Sequence, residues 1–149
     1  MGVEIERKFL VNELPENLTN YRNHKIEQGY LCTDPVIRIR RSDDDYFLTY
    51  KGKGLMVREE YNLPLTKTSY DHLKTKVDGK MICKTRYIIP IENDLMIELD
   101  LFTKPQKLAL AEVEFPSEEA ANKFQMPLWF REDVTDDVRY HNSNMSQLK

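Results

Sequence analysis

The sequence predicts an α+β fold: a closed eight-stranded antiparallel β-barrel with a few peripheral helices. Three observations carry this expectation. Eight short runs alternate apolar and polar residues with a period of two. Turn-forming clusters separate several of the runs. Seven of the runs place charged residues on one face and apolar residues on the other. The length of 149 residues fits one domain, residues 1–149.

In chain order the strand runs are 3–11, 26–31, 36–41, 46–53, 56–65, 81–89, 95–102 and 108–115. Ser42-Asp43-Asp44-Asp45 divides the third from the fourth, and Gly52-Lys53-Gly54 divides the fourth from the fifth. Glu92-Asn93-Asp94 divides the sixth from the seventh, as in a hairpin. Three helices are expected. One covers 66–77, with Tyr70, Leu73 and Val77 at helical spacing. A second starts after the N-cap Ser117 and ends near Met126, because Pro127 disfavours helix at the residue before it. A third starts at Thr135 and covers the tail, with Asp136 and Asp137 at its N-terminus.

Residues two apart in a strand share a face, so each charged row can be read off. Glu4, Glu6 and Lys8 lie opposite Val3, Ile5 and Phe9. Arg38 and Arg40 lie opposite Ile37 and Ile39. Thr49 and Lys51 align, with Lys53 continuing the row. Arg58, Glu60 and Asn62 lie opposite Val57, Tyr61 and Leu63. Lys84 and Arg86 align. Glu98 and Asp100 lie opposite Ile97, Leu99 and Leu101, and Glu112 and Glu114 opposite Ala111, Val113 and Phe115. On a single strand this is an ordinary solvated face. Across seven strands the tally is balanced, with few neutral polar residues between the charges. If the sheet closes with these rows inward, the lining has a cationic and an anionic wall. Carboxylate oxygens suit Mg²⁺ or Mn²⁺, and Arg and Lys suit phosphate oxygens. A metal-bound polyphosphate calls for both.

Composition removes other classes. Lys plus Arg total 22 against 25 Asp plus Glu, a net charge of −3. No basic excess favours general nucleic-acid binding. No apolar run reaches the roughly 18 residues of a membrane helix. The charged start is unlike a signal peptide, so a cytoplasmic location is expected. Cys32 and Cys83 read as buried free thiols. Lys51-Gly52-Lys53-Gly54 is no Walker A motif, and His24, His72 and His141 read as surface residues without metal spacing. Trp129 and Phe130 read as packing rather than ligand stacking. Tyr30 either guards a tunnel mouth or packs at a strand end.

Several of these segments resemble the CYTH domain, or triphosphate tunnel metalloenzyme superfamily. Glu4-Ile5-Glu6-Arg7-Lys8 fits its ExExK signature. Gln28-Gly29-Tyr30-Leu31, Arg38-Ile39-Arg40, Leu48-Thr49-Tyr50-Lys51, Lys84-Thr85-Arg86-Tyr87, Glu98-Leu99-Asp100 and Glu112-Val113-Glu114-Phe115 follow in the family's order. The tail from Glu132 to Asn142 is also similar. The resemblance implies an antiparallel tunnel that holds a triphosphate and a divalent metal, Mg²⁺ or Mn²⁺. The short form is most similar to bacterial inorganic tripolyphosphatases. By position, Glu4, Glu6, Glu60, Glu112 and Glu114 are implied metal ligands, with Glu98 and Asp100 in support. Lys8, Arg38, Arg40, Lys51, Lys84 and Arg86 are implied phosphate ligands, and Arg58 pairs with carboxylates or touches the terminal phosphate. The implied catalytic set is Lys8, Glu60, Lys84 and Arg86. Asn62 departs from the family, where a second Glu is common. A class IV adenylate cyclase, a thiamine triphosphatase and a non-catalytic polyphosphate- or nucleotide-binding module are the alternatives. A small-molecule triphosphate is the expected partner, with no nucleic acid or membrane, and a homodimer is expected from the family and the outward apolar faces.

Overall fold

A computed structural model of the chain describes residues 2–146. The strands are β1 (Gly2–Val11), β2 (Arg22–Thr33), β3 (Val36–Ser42), β4 (Asp45–Lys51), β5 (Val57–Leu65), β6 (Asp78–Pro90), β7 (Met96–Lys104), β8 (Leu108–Glu114) and β9 (Phe130–Asp133). The helices are α1 (Lys67–Lys74), α2 (Glu118–Lys123) and α3 (Asn142–Met145), with short 3₁₀ turns at Leu18–Asn20 and Val138–Tyr140.

The first eight strands run in the order β5-β4-β3-β2-β6-β7-β8-β1, every pair antiparallel. Pairing of β1 with β5, from Gly2↔Glu60 to Ile5↔Val57, closes the barrel. Closure leaves no free edge along most of the sheet. The ninth strand is an addition that sequence alternation does not reveal, because it is only four residues long. It pairs with the end of β1, Phe9↔Asp133 and Leu10↔Glu132.

Alternation locates strand centres better than ends. The polar start of β2 is extended because it pairs with β6, Arg22↔Ile88 through Lys25↔Thr85, and not because it is amphipathic. The fourth run stops at Lys51, and Lys53 is exposed outside the barrel row. The helix expected over 66–77 is capped at Thr66, whose side chain accepts from the Ser69 N–H, and ends at Thr75. Its buried Tyr70 packs beside Tyr46, with ring centroids 5.1 Å apart. The helix after Ser117 ends at Phe124, before Met126. The continuous helix expected from Thr135 is replaced by two short turns of helix with an extended residue, His141, between them. The last part of that expectation, residues 147–149, lies outside the described residues.

Two apolar layers position the tunnel. The first lies outside the barrel wall. Phe9, Ile97, Leu99, Ala111, Val113 and Phe115 turn outward and are covered by Ala121 of α2 and by Phe130. Trp129 stacks edge-on against Phe130 at 4.6 Å, a packing role. The second layer lies inside one end of the barrel. Leu10, Tyr30, Ile82, Phe102 and Leu110 meet there, with Val134 and Met145 of the C-terminal segment. The inward row of β1 thus changes from charged at Glu4, Glu6 and Lys8 to apolar at Leu10. Cys32 and Cys83 are free thiols, half-buried rather than buried, because each sits on a strand's outward side at the barrel surface.

Candidate active site

The charged rows do face inward. They line a cavity of about 190 Å³ together with Tyr30, Asn62 and residues from the C-terminal segment. All of the charges read as inward line it except Lys53, Lys84 and Asp100. At the end where β1 begins, Glu4, Glu60, Asn62 and Glu114 also border an outer recess beside Gly2 and Val3. At the other end sits the apolar layer.

Antiparallel register decides which charges meet. Lys8 lies opposite Glu112, Glu98 opposite Glu112, Arg86 opposite Asp100, and Lys51 opposite Glu60. Lys51 Nζ reaches Glu4 at 3.0 Å and Glu60 at 3.4 Å. Arg86 binds Asp100 with two nitrogens, at 2.7 and 2.9 Å, and reaches Glu98 at 3.3 Å. Lys8 Nζ lies 3.7 Å from Glu112 and donates to the Tyr140 carbonyl at 2.9 Å.

Lys84 is the departure. Its side chain is fully buried inside the barrel beside the apolar layer, with Nζ 2.8 Å from Asp100 and 5.0 Å from the centre of the Phe102 ring. Burial, reinforced by Arg86 and Arg40, outweighs the attraction of Asp100 and brings the ammonium down to about 7. In this arrangement Lys84 supports Asp100 and does not line the cavity.

Three arginines contrast with these pairs. Arg38, Arg40 and Arg58 line the cavity, yet none has a carboxylate within ion-pair distance among the described residues. Arg40 Nε donates to the Gln28 side chain at 2.8 Å, and Arg58 Nε to the Gly52 carbonyl at 3.1 Å. Arg38 is buried and its Nε has no hydrogen-bond partner. Burial, with Arg38 and Arg86 nearby, lowers Arg40 to about 9. Cations crowded together without acids are a binding surface for an anion.

The carboxylates form the opposite surface. Oxygens of Glu6, Glu98 and Glu112 all lie within 4.8 Å of one another. Burial, then Glu112 and Glu4, pushes the Glu6 carboxyl well above its usual range. Glu112 stays ionised, because Lys8, Arg86 and Lys84 outweigh the effect of burial. Its Oε1 has no hydrogen-bond partner. The two carboxyls are thus pushed in opposite directions, Glu6 up and Glu112 down, by crowding that a cation would relieve. Glu98 belongs to this cluster because it faces Glu112 across β7 and β8. Among the metal ligands implied by the resemblance, Glu4 and Glu60 gather around Lys51, and the exposed Glu114 sits at the rim.

Asn62 sits exposed at the rim and is a donor. Its amide N–H donates to Glu60 at 3.1 Å, and its carbonyl accepts from the Thr49 hydroxyl. Burial would raise Glu60, but Lys51, Glu4 and Asn62 together hold it down at about 2. Tyr30 is buried in the apolar layer and also borders the cavity from that side. His141, read as a surface residue, is half-buried and lines the cavity with Thr135 and Asn142. It carried no signal in the sequence because a short irregular segment delivers it.

Known proteins agree with this geometry. Residues 2–133 match the CYTH domain. An inorganic triphosphatase of Nitrosomonas europaea is 39% identical over 147 residues, covering 96% of each chain. An inorganic triphosphatase of Acetivibrio thermocellus is 33% identical over 152 residues, covering 97% of this chain and 94% of its own. A crystal structure of an inorganic triphosphatase superposes with a TM-score of 0.71 at 37% identity, covering 98% of this chain and 95% of that one. The matched span includes every strand of the barrel, and the chain belongs to the CYTH domain family.

Proposed function

We propose that this chain is a metal-dependent phosphoric anhydride hydrolase that cleaves inorganic triphosphate inside the tunnel. The observation that carries the reading is the shared cavity. Arg38, Arg40 and Arg58, without an ion-pair partner among the described residues, line the same cavity as the Glu6, Glu98 and Glu112 cluster. The cations match a polyanion, and the carboxylates match a divalent ion.

The residues present fit Mg²⁺ or Mn²⁺. The donors are hard oxygens, one oxygen of Glu112 lacks a hydrogen-bond partner among the described residues, and the crowding that raises Glu6 is relieved by a cation. Glu6, Glu98 and Glu112 would hold the ion, with Glu4, Glu60 and Glu114 nearer the rim for a second. Such an ion supplies Lewis-acid polarisation of phosphate oxygens. The chain's own groups do the rest. Arg38, Arg40 and Arg58, with Lys8 and Lys51, bind and align the phosphates. Arg86, fixed by Asp100, points its remaining hydrogen-bonding capacity at the charge that develops during transfer. Glu60, ionised down to about pH 2, is an acceptor that can orient the attacking water. Lys84 acts through Asp100 and Arg86. The reading keeps the chain in the cytoplasm, working as one domain on a small molecule. It leaves Val3, Tyr61 and Leu63, exposed on the outer face, for pairing of two copies.

A phosphate-release assay with tripolyphosphate, ATP and thiamine triphosphate, run with Mg²⁺ and with Mn²⁺, tests the reading. The expected result is a kcat/KM for tripolyphosphate at least about tenfold above ATP, since the lining recognises phosphate charge and offers no aromatic surface for a base beyond Tyr30. Cyclic AMP production from ATP with little phosphate from tripolyphosphate would move the chain to the cyclases. Tight binding without turnover of any substrate would make it a binding module.

A further inference from the structure

The family match ends at Asp133, yet the segment that follows builds part of the tunnel wall. Its course is fixed on both sides of His141. Before it, the Val134 N–H donates to the Lys8 carbonyl at 2.8 Å, and the Lys8 N–H donates to the Thr135 hydroxyl at 3.0 Å. The Tyr140 carbonyl accepts from Lys8 Nζ. After it, Met145 packs into the apolar layer, and the Lys80 N–H donates to the Ser146 carbonyl at 2.7 Å. The segment therefore crosses the barrel end from β1 to β6. His141 is carried on the crossing.

The ring's tautomer follows from its partner. His141 Nε2 lies 3.3 Å from the Thr135 carbonyl, which can only accept. Nε2 therefore bears the proton, and Nδ1 is left without a hydrogen-bond partner among the described residues. Next to it, Asn142 Oδ1 is buried and also unpartnered. Both residues line the cavity.

We propose that His141 is a further substrate-binding residue, which contacts the phosphate chain as an imidazolium through Nδ1–H. The proposal rests on the tunnel being a triphosphate site. A neutral ring would turn the Nδ1 lone pair towards phosphate oxygens and repel them. A proton on Nδ1 converts the repulsion into a charge-assisted hydrogen bond. Without ligand the ring is held below its usual value, first by burial and then by Lys8 of β1, Arg58 of β5 and Lys51 of β4. The acids that share the cavity with Lys8 and Lys51 are engaged by them, Glu112 of β8 by Lys8 and Glu60 of β5 by Lys51. A bound triphosphate brings several negative charges among those cations and reverses the field at the ring. Substrate binding then takes up a proton at His141.

The test uses NMR of the imidazole resonances in the metal-free protein, with and without tripolyphosphate, from about pH 5 to about pH 8. The chain has three histidines, so His24→Gln and His72→Gln assign the third without altering the tunnel. The expected result is a titration midpoint for His141 that rises by about one unit or more when tripolyphosphate is added. Metal-free binding measured by calorimetry should also weaken about tenfold in His141→Gln near the acid end of that range, and much less near pH 8. Every other titratable group of the tunnel is common to both proteins, so the comparison isolates His141. Tight tripolyphosphate binding with an unmoved midpoint would remove His141 from the substrate contact and leave the triphosphate reading standing. Failure of the wild-type protein to bind tripolyphosphate would overturn both.

Discussion

Lys84 concentrates the opposing forces of the tunnel in one side chain. Its amine has no exposed surface and lies near Asp100, which Arg86 already binds twice. Desolvation of the ammonium wins over this attraction, so the folded state releases the proton near 7 whereas an unfolded chain keeps it to about 10.5. Between those values the unfolded chain binds more protons than the folded one. The contribution of Lys84 to stability therefore rises with pH across that window and is least favourable below 7. Lys84→Met removes the titration. The urea midpoint of wild type minus that of Lys84→Met should climb between pH 7 and pH 10. A flat difference would mean that Asp100 holds the amine charged throughout.

At the scale of the element, β1 separates function from support by alternation alone. Glu4, Glu6 and Lys8 face the tunnel, and Arg7 between them faces out. Arg7 pairs with Asp133 at 2.7 Å and donates to the carbonyls of Ala121 and Phe124 at 2.8 and 3.0 Å. Those carbonyls belong to the C-terminal end of α2, where helical partners run out. The guanidinium also lies over the Phe9 ring at 5.0 Å. Arg7 thus ties α2 and β9 to the barrel wall. Arg7→Ala should cost about 1.5–3 kcal/mol of stability, the range for hydrogen bonds to charged groups. It should leave kcat/KM for tripolyphosphate within about threefold, because no group in the tunnel moves. Denaturant unfolding and steady-state rates check the two halves. A large loss of rate at full stability would place Arg7 inside the tunnel.

The whole molecule has a net charge of only −3, yet its interior gathers like charges into separate groups. Arg38 and Arg40 lie together on β3, and burial beside Glu112 and Glu4 pushes the Glu6 carboxyl well above its usual range. Such an interior is strained until ions of the right sign arrive. Anything that binds the folded tunnel stabilises it by mass action, about 2.7 kcal/mol at a hundred times Kd. Metal-free tripolyphosphate at a hundred times Kd should therefore raise Tm by about 5–11 °C for a chain of this size. Equal concentrations of orthophosphate should do much less, since a single phosphate brings less charge and fewer oxygens to the cations that line the tunnel. Thermal shifts at constant ionic strength measure this. Equal shifts from both anions would indicate general screening rather than a built site.

The sequence by itself determined the strand alternation, the charged face of each strand and the identity of nearly every cavity-lining charge. These are local properties: a period of two sorts Glu4 from Ile5 whatever the partner strand. Turn chemistry at Ser42–Asp45 and Gly52–Gly54 divided the strands for the same reason. Only the tertiary structure decided which face is inside, because closure depends on β1 meeting β5, more than fifty residues away. It decided which carboxylates meet: Glu98 joins Glu6 and Glu112 through register, and register is a property of pairs of strands. It buried Lys84 beside the inner apolar layer and replaced the expected C-terminal helix by a crossing that brings His141 to the tunnel. That segment has no periodicity to read. Its path is set by contacts with Lys8, Lys80 and the apolar layer, and these exist only once the barrel has closed.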